Sequence, residues 1–394
     1  MRTYDLLLFG ATGFSGKLVA AYLARRDTNV TWALAGRSRD KLEAVRTAIG
    51  RPELPIEIAD TGDIAALDRV VPLARVVCTT VGPYRRHGVE LARACARHGT
   101  HYCDITGEVP FMRASIDDNH ELAQRTGARI VHACGFDSIP SDLGVLALRE
   151  RAGEDLAWVK SDVHVAGRGA PGGVETAIAL MSDARRDRSL LRTARNRNAL
   201  AVDPGRAGPD GPDQLGVRFD RELGEWTGPF VMATVNTRVV RRSADLLGYG
   251  AGFRYDECLA FGRGPLALAK AGLAAGALAA IFTAASIPQA HRLLRRHVRP
   301  DIERRGGYAI RMLGETVSGR RIGARISGDG DPGCEPTAMM VGESALSLAF
   351  DRHTPTGVLT PAVLGIDLLE RVRRNGMAVE VSPDVASGES AMGG

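Results

Sequence analysis

This chain of 394 residues has few of the residue types and patterns that mark several common functional classes of protein. Aromatic residues make up only 5% of it, and no stripe of basic residues is interleaved with them. The sequence therefore lacks the stacking and phosphate-binding pattern of nucleic-acid-binding proteins, and we predict no nucleic-acid partner. Lysine occurs only at positions 17, 41, 160 and 270, so arginine supplies nearly all of the positive charge behind the modest net value of +5.

The six cysteines form no C-x-x-C pair and show no spacing typical of a metal site, so we predict no bound metal. Several of them lie in or beside apolar runs, where a free cysteine behaves as a small buried hydrophobe. A secretory signal pattern is also missing, because an apolar strand is predicted to begin at Tyr4. Together these features favour a reducing cytoplasm.

Long apolar runs are missing too, with one exception. Ala271–Ile287 contains no charged residue, and Gly272 and Gly276 are spaced for close helix contact. The segment is mostly alanine and glycine and is short for a bilayer span. We predict that the segment is a buried or interface helix. Two alternatives remain: a membrane-surface element, with peripheral membrane contact through residues 271–287, and a true membrane span.

Strand and helix patterns alternate through residues 1–150, which predicts a parallel sheet covered by helices on both faces. Compact apolar runs, separated by helical periodicity, mark the strands. The predicted strands are Tyr4–Phe9, Thr31–Ala35, Pro55–Ile58, Val76–Val81, His101–Asp104 and Arg129–Cys134.

The pattern changes in residues 151–337, for which longer strands predict a second α+β domain with a mostly antiparallel sheet. This domain is expected to bind substrate and to mediate a homodimer. The predicted strands are Trp158–Val165, Arg238–Arg241, Phe253–Ala260, Tyr308–Val317 and Arg320–Ser327, and Asp203–Gln214 is predicted to be a mobile surface loop. Helices in residues 338–394, at Ala338–Phe350 and Pro361–Arg373, fit a C-terminal segment that packs back onto the first domain.

A glycine-rich turn joins the first predicted strand to the first helix. It reads Gly10-Ala-Thr12-Gly13-Phe14-Ser-Gly16, with a second strand about twenty residues further on. Gly10 permits the tight turn, Gly13 lets the backbone approach a pyrophosphate, and Gly16 allows helix and strand to pack closely. The free amides of the helix N-terminus would bind the anion. This context predicts a Rossmann-type doubly wound fold that binds a dinucleotide.

The end of the second strand distinguishes the two nicotinamide cofactors. Sites that prefer NAD place a carboxylate there, whereas this chain reads Ala35-Gly36-Arg37-Ser38, with Lys41 nearby. Arg37 can clamp a 2′-phosphate and Ser38 can hydrogen-bond it, so we predict NADP(H). The alternative is that Arg37 only decorates a turn.

Other predicted cofactor contacts lie where further strands end, since ligands of such sheets bind at the carboxyl ends of the strands. Asp60 follows the third strand and is predicted to lie on the adenine side. The remaining positions lie at or just after the ends of the fourth and sixth strands and are Thr80, Val81, Gly82, Pro83, Gly135 and Phe136.

Hydride transfer requires from the protein mainly orientation and a donor for the charge that develops on the substrate. Tyr84 is the preferred candidate for that donor, with Asp137 and Ser138 as the other catalytic candidates. Asp137 as an ordinary turn residue and Ser138 as a helix cap remain open interpretations. His132, inside an apolar strand, is more typical of a core histidine. No Tyr-x-x-x-Lys pair occurs, which argues against short-chain dehydrogenase chemistry.

Several phrases together resemble one known family. They include the glycine turn, the Arg37 motif, the two segments Tyr102–Glu108 and His132–Asp142, and the C-terminal phrases Asn236–Ser243, Gly328–Gly333 and Gly357–Pro361. The chain resembles the saccharopine dehydrogenase-like oxidoreductases, particularly the trans-acting enoyl reductases of mycobacterial polyketide lipid pathways. The resemblance implies a Rossmann domain, a second domain with an extended sheet, and NADPH.

The resemblance also implies the reaction, which the residues alone do not. It suggests NADPH-dependent reduction of a conjugated carbon–carbon double bond in an acyl or polyketide-type substrate, either free or bound to a carrier protein or synthase. Arg241 and Arg242 are candidates for contact with an acidic carrier, or ordinary surface residues. A reductase of an imine or ketone, and a non-catalytic NADP-binding protein associated with a membrane or synthase, remain the alternatives.

Overall fold

The structure, a computed structural model, describes residues 2–26, 29–166, 171–205, 208–291, 294, 306–351 and 355–382. The chain divides into two compact units, one comprising Met1–Ile139 with Gly333–Asn375 and the other Pro140–Pro332 with Gly376–Gly394. The predicted roles of the second unit in substrate binding and dimerisation stay predictions.

The described strands are β1 (Tyr4–Phe9), β2 (Trp32–Gly36), β3 (Ile56–Ile58), β4 (Ala74–Thr79), β5 (His101–Asp104), β6 (Arg129–Val131), β7 (Leu156–Ala166), β8 (Arg218–Asp220), β9 (Glu225–Gly228), β10 (Arg254–Ala260), β11 (Gly307–Thr316), β12 (Arg321–Asp329), β13 (Gly357–Leu359) and β14 (Ala378–Ser382). The described helices are α1 (Phe14–Arg25), α2 (Arg39–Ala48), α3 (Ile64–Val70), α4 (Tyr84–His87), α5 (Val89–His98), α6 (Val109–Thr126), α7 (Ile139–Ala152), α8 (Pro171–Ala184), α9 (Ser189–Arg195), α10 (Ala233–Leu247), α11 (Pro265–Ser286), α12 (Glu335–Phe350) and α13 (Gly365–Arg374), with short 3-10 turns at Val71–Leu73, Pro288–Ala290 and Pro361–Leu364.

Seven of the described strands form a parallel sheet in the first unit, in the order β13-β6-β5-β4-β1-β2-β3. Leu6, Leu7 and Leu8 of the central strand β1 are fully buried. An uninterrupted apolar run of this kind is expected where helices cover both faces of a parallel sheet. The prediction of a Rossmann-type doubly wound sheet is confirmed.

The C-terminal segment completes this first unit. β13 pairs in parallel with β6 and adds an edge strand that the sequence did not predict. α12 packs on α1, β4 and β5, and α13 packs on α12. Glu343 of α12 is fully buried: its carboxylate accepts a hydrogen bond of 2.5 Å from the Tyr22 hydroxyl and lies 2.9 Å from Nε of Arg26. Arg371 of α13 approaches the other carboxylate oxygen at 3.6 Å.

The second unit contains a mixed sheet of the other seven described strands, in the order β14-β12-β11-β7-β10-β9-β8. Only the β10–β7 pair among them is parallel, so the prediction of a mostly antiparallel sheet is confirmed. Strict alternation along β11, with every second residue buried, is the pattern expected of a strand with one face on the core.

The prediction of a strand at Arg238–Arg241 is wrong, because these residues lie within helix α10. The arginines there are buried instead of exposed. Arg241 forms an ion pair of 3.0 Å with Asp210, and Arg242 donates to the Leu200 carbonyl at 2.9 Å. Both interpretations of Arg241 and Arg242, as carrier contacts and as ordinary surface residues, are therefore wrong.

The Asp203–Gln214 segment is irregular, as predicted, but the described part is not simply a surface loop. Asp210 and Gln214 are buried, and the Asp210 carboxylate accepts a hydrogen bond of 2.9 Å from the Tyr255 amide. Asp213 forms a short ion pair of 2.5 Å with Arg238. Ion pairs between this segment and α10 thus anchor it, which its glycine- and proline-rich composition concealed. Residues 206 and 207 lie outside the described residues.

Helix α11 is exposed in the described structure, so the prediction of a buried or interface helix is wrong as to burial, and its interface role stays a prediction. Among the described helices it is long and apolar enough to cross a membrane, at 22 residues, yet only 11% of its most apolar window is buried. Its large side chains, such as Leu273 at 75% exposure, face outward, and alanines such as Ala271 face the unit.

We predict that Glu343→Ala destabilises the protein by about 3 kcal/mol, because it leaves the partly buried Arg26 without this carboxylate and the Tyr22 hydroxyl without its acceptor, whereas Arg371 keeps its ion pair with Asp351. Chemical denaturation measures this loss. The matched control is Glu43→Ala, since Glu43 lies on the surface of α2 and pairs with arginine only at 3.9 Å. Equal destabilisation by both variants would contradict the role of this carboxylate in fixing the C-terminal segment.

Candidate cofactor and active site

Two glycines of the turn after β1 have no room for a side chain. Gly10 has a φ of +88°, in the left-handed region that favours glycine, and a Cβ there would lie 2.8 Å from Oγ1 of Thr80. A Cβ at Gly16 would lie 2.0 Å from the Gly10 carbonyl oxygen. These two glycines therefore let α1 begin directly against the end of β1.

Gly13 is different, because the protein leaves room for a side chain there. A Cβ at this exposed position would have a single neighbour within 4 Å, the Gly10 carbonyl oxygen at 3.4 Å. Gly13 precedes the first residue of α1, whose opening amides have no acceptor within the helix. The space above Gly13 and the dipole of α1 therefore suit the pyrophosphate of a dinucleotide.

An open cleft of about 350 Å³ surrounds this turn at the carboxyl ends of β1, β2, β3 and β4. It brings together ten of the residues predicted to contact the cofactor, which are Gly10, Thr12, Gly13, Arg37, Ser38, Lys41, Asp60, Thr80, Val81 and Gly82. Phe9, Ala35, Gly36, Ala59, Thr61 and His87 line it as well. Most of these additional residues are sequence neighbours of predicted cofactor contacts at strand ends. That proximity in sequence is the signal that could have identified them.

The predicted 2′-phosphate clamp lies on the surface of this cleft. Arg37, at the end of β2, is 81% exposed and has one weak ion pair, 3.8 Å from the Asp60 carboxylate at the end of β3. Ser38 precedes α2 and makes no side-chain cap to it, and Lys41 follows within the first turn. Two cations and a free hydroxyl thus surround a position that a phosphate group could occupy, since a carboxylate at the end of β2 is absent.

Five other predicted cofactor residues do not line the cleft. Phe14 and Gly16 lie within α1, with Gly16 buried, and Pro83 follows Gly82 through a cis peptide bond. Gly135 and Phe136 are buried beyond β6, where the Phe136 amide donates to the Thr337 hydroxyl at 3.0 Å. Their assignment as cofactor contacts stays a prediction.

A fully buried carboxylate, Asp104, ties the ends of β5 and β6 together. One oxygen accepts hydrogen bonds of 3.1 Å from the amides of Thr106 and Ala133. The other accepts from the Tyr102 hydroxyl at 2.9 Å and lies 2.7 Å from Nδ1 of His132. Four partners satisfy this carboxylate, so its burial fixes the course of the chain after both strands.

The Asp104 carboxylate holds Ala133 in an unfavourable backbone conformation. Its φ of +60° lies in the left-handed region, which a residue with a Cβ adopts rarely and at a cost of about 1–2 kcal/mol. The Asp104 side chain binds the Ala133 amide, and the Asp104 carbonyl accepts from the Cys134 amide at 2.7 Å. This turn carries the chain into Gly135–Ser138.

Asp137 lies on that loop and has no hydrogen-bond or ionic partner among the described residues. It is half-buried, and desolvation raises its pKa to about 6. Ser138, the next residue, is fully buried. A carboxyl group that gains and loses a proton near neutral pH, with no structural contact to maintain, has the properties of a general acid or base.

Tyr84, the preferred donor in the sequence, is positioned less favourably. Burial raises the pKa of its phenol well above the usual value. The hydroxyl donates to the Thr79 carbonyl at 3.2 Å and accepts from the Ile105 amide at 3.4 Å. Glu108 accepts from the amides of Tyr84 and Arg85 at 2.7 and 3.0 Å and so caps α4. The phenol therefore supports the turn that follows β4.

His132 joins a buried Asp–His–Ser row. Its Nε2 lies 2.8 Å from the Ser115 hydroxyl, opposite its contact with Asp104. Ser115 is 4% exposed and also accepts from Asn119 at 3.3 Å. Although the order of groups resembles that of a hydrolase, the serine has no access to a substrate, so the row is a core network.

The fold and the cleft together define a dinucleotide-binding protein of the Rossmann class. Residues 6–131 match the family described as saccharopine dehydrogenase NADP binding domain. Trans-acting enoyl reductases of Mycobacterium ulcerans and Mycobacterium bovis are 39% and 38% identical, over 97% and 96% of this chain and 98% and 97% of their own lengths. A protein of Mycobacterium tuberculosis that carries the same name provisionally is 42% identical, over 97% of this chain and 98% of its own.

Among solved structures, apo saccharopine dehydrogenase (L-Glu forming) from Saccharomyces cerevisiae has a TM-score of 0.54 at 12% identity, covering 96% of this chain and all of its own, which shows a shared fold. The chain belongs to the saccharopine dehydrogenase-like oxidoreductases, in the group that the mycobacterial relatives form. It is an NADP-dependent reductase, and the predictions of NADP(H) and of an oxidoreductase are confirmed.

We predict that alanine substitutions have different effects at Gly13, where the protein leaves room for a side chain, and at Gly16, where it leaves none. Gly13→Ala should raise the Kd for NADPH roughly 10- to 100-fold while leaving the melting temperature unchanged, because its Cβ fills the ligand's space and touches little of the protein. Gly16→Ala should destabilise the fold by about 1–3 kcal/mol through overpacking against Gly10. NADPH fluorescence titration and thermal unfolding measure the two effects, and unchanged binding by Gly13→Ala would overturn the pyrophosphate assignment.

We also predict that Arg37→Glu weakens NADPH binding about 10- to 100-fold, the value of a lost hydrogen bond to a charged phosphate. Binding of NADH should change by less than about 3-fold, since it lacks the 2′-phosphate. Arg39→Glu is the control, because Arg39 is exposed on α2 and does not line the cleft. A parallel loss of NADH and NADPH binding would argue that Arg37 only shapes the turn.

Proposed function

We propose that this reductase saturates a conjugated carbon–carbon double bond in an acyl chain held as a thioester. The names of the mycobacterial relatives describe them as trans-acting enoyl reductases, and the alignments span nearly the whole of each chain. Within the structure, the observation that supports the proposal is the Asp137 carboxyl, which has no partner among the described residues and whose pKa of about 6 suits a proton donor for the enolate formed in such a reduction.

The cleft residues would position the cofactor for this reaction. The amides at the start of α1 and the space above Gly13 hold the pyrophosphate, and Arg37 with Ser38 holds the 2′-phosphate. When bound, the reduced nicotinamide supplies the hydride that adds to the β-carbon of the unsaturated thioester. Val81 and Gly82, which line the cleft after β4, would set the position of the ring.

The α-carbon then needs a proton. Of the three predicted donors, Asp137 has a side chain with no hydrogen-bond or ionic partner in the part of the chain that the structure describes, whereas the Tyr84 hydroxyl is used within the fold and Ser138 is buried. We assign the donor to Asp137, with Tyr84 as a positioning residue for the Gly82–Tyr84 turn. Protonated Asp137 donates to the α-carbon and is reprotonated from solvent through its exposed side.

We further propose that the substrate reaches the enzyme on a carrier protein or a polyketide synthase in the cytoplasm. The word trans-acting in the names of the relatives describes an enzyme that serves a separate partner. A thioester also explains the reaction, because conjugation with the carbonyl makes the β-carbon an acceptor for hydride. A homodimer stays a prediction.

We predict that the purified protein consumes NADPH in the presence of an α,β-unsaturated acyl thioester and that Asp137→Asn lowers kcat about 10²- to 10⁴-fold, the usual contribution of a general acid. NADPH binding should be unchanged, which separates catalysis from cofactor affinity. For the wild type, kcat should fall as pH rises through about 6, because the donor loses its proton. Reduction of an imine or ketone with no reduction of any enoyl thioester would overturn the proposed substrate class.

We predict that the same substitution stabilises the protein above about pH 6. The folded state raises the pKa of Asp137, so its contribution is favourable below the unfolded value of 3.8 and is lost as pH rises through about 6. Asp137→Asn removes that penalty, which we expect to be about 1–2 kcal/mol for a half-buried group. Denaturation at about pH 5 and about pH 8 measures it, with the exposed Glu121→Gln as control. No gain at the higher pH would show that the carboxyl is not desolvated.

A further inference from the structure

Helix α11 is attached to the second unit by its smallest side chains. Ala267, Ala271 and Ala285 are buried, and the helix packs on β9 and α8 within this unit. The opposite side presents large apolar groups to solvent, including Leu266 at 70% and Leu273 at 75% exposure. A surface helix of a globular protein normally has the reverse arrangement, with its large apolar side chains facing the core. The exposed face therefore indicates a binding surface.

A group of arginines lies at the C-terminal end of this helix. An open cleft of about 890 Å³ is formed by α8, α9 and Ser286, the last residue of α11. Four exposed arginines line it and define what we call the arginine cleft: Arg185, Arg188, Arg192 and Arg195. Arg185 donates to the Ser286 carbonyl and so caps the helix. The other three have no carboxylate partner among the described residues.

The charge of this region is strongly one-sided. Residues 183–197 contain six arginines and two aspartates, and one of these, Asp187, accepts from the amide and hydroxyl of Ser189. The segment from Arg263 to Ser286 contains no acidic residue and one further cation, Lys270. An apolar helix flanked by cations that lack a carboxylate partner among the described residues matches the two forces that hold a protein on an anionic bilayer, which are apolar burial and electrostatic attraction to headgroups.

The topology shows that α11 would lie on such a surface and not cross it. β10, which precedes the helix, and β11, which follows it, both pair with β7, one parallel and the other antiparallel. The chain therefore leaves and re-enters the sheet at the same end of β7. A single crossing would separate the two ends by about 30 Å of hydrocarbon. A return crossing through residues 287–306 would place six arginines within the bilayer.

We propose that α11 and the arginine cleft form a docking surface for a lipid bilayer with anionic headgroups. The apolar face of α11 enters the interface between headgroups and acyl chains, and Arg188, Arg192 and Arg195 bind the phosphate groups. A second copy of the chain fits this surface less well, because α11 has no acidic residue to face the partner's cations. The proposal goes beyond the reaction assigned above and does not depend on its substrate.

The test is flotation of the full-length protein, with NADPH bound, on vesicles of phosphatidylcholine alone or with phosphatidylglycerol. We expect binding to the anionic vesicles only, and weakening by about 0.5 M NaCl, which screens the headgroup charge. Leu273→Glu should abolish binding. Arg188→Glu with Arg192→Glu should weaken it by at least about 25-fold, because each cation near an anionic surface contributes about 5-fold in affinity and each new carboxylate is repelled.

The matched controls are Leu215→Glu, which changes a leucine of 77% exposure in an irregular segment of the same unit, and Arg69→Glu on α3. Both should bind vesicles as the wild type does, and every variant should retain NADPH binding as evidence of folding. Equal flotation of wild type and Leu273→Glu would overturn the proposal. So would a wild-type dimer that Leu273→Glu dissociates without any vesicle binding, or retention on an acidic carrier protein with no affinity for vesicles.

Discussion

The buried carboxylate of Asp104 is the constraint on which the geometry of the candidate catalytic loop depends. Leaving a carboxylate away from water without partners would cost several kcal/mol, so its burial requires donors in fixed positions. These donors come from both sides of the β5–β6 pair, including the amides of Thr106 and Ala133. The same contacts hold Ala133 in a left-handed conformation, and the chain that leaves this turn carries Asp137.

Asp104, at the end of β5, and Asp137, in the loop after β6, differ in their contacts. Asp104 is surrounded by donors that it positions, whereas Asp137, the proposed proton donor, has no hydrogen-bond or ionic partner among the described residues. Rigid support beneath an unsupported reactive group is the usual arrangement of catalytic sites, since orientation must be fixed while the reacting group stays uncommitted. Tyr84 resembles Asp104 in this respect, because its hydroxyl both donates to and accepts from backbone groups.

The nucleotide cleft was predictable because its constraints are local in sequence. The glycines at 10, 13 and 16 sit at fixed distances within one strand–turn–helix unit, and the arginine of the second strand follows from its place at a strand end. What stayed hidden depends on distant partners. The edge strand β13 is three residues long and contacts β6 across more than two hundred positions, and no local pattern marks it. The direction of the Tyr84 hydroxyl is likewise set by residues of two other segments.

In the second unit, the burial of arginines likewise depends on distant partners and could not be predicted from the local sequence. The segment Arg238–Arg242 contains cations beside two valines and predicts a strand, yet its arginines are buried on helix α10, where Asp210 and Asp213 from an irregular segment neutralise two of them. The arginines of the arginine cleft, which lie between α8 and α9 and on α9, have no such carboxylate partners among the described residues and remain in solvent. Composition therefore gives the number of charges, and only the placement of their counter-ions decides which are part of the core. Arg188, Arg192 and Arg195 have no carboxylate partner among the described residues, and an external anionic surface is the proposed partner that would bind both these cations and the exposed apolar face of α11.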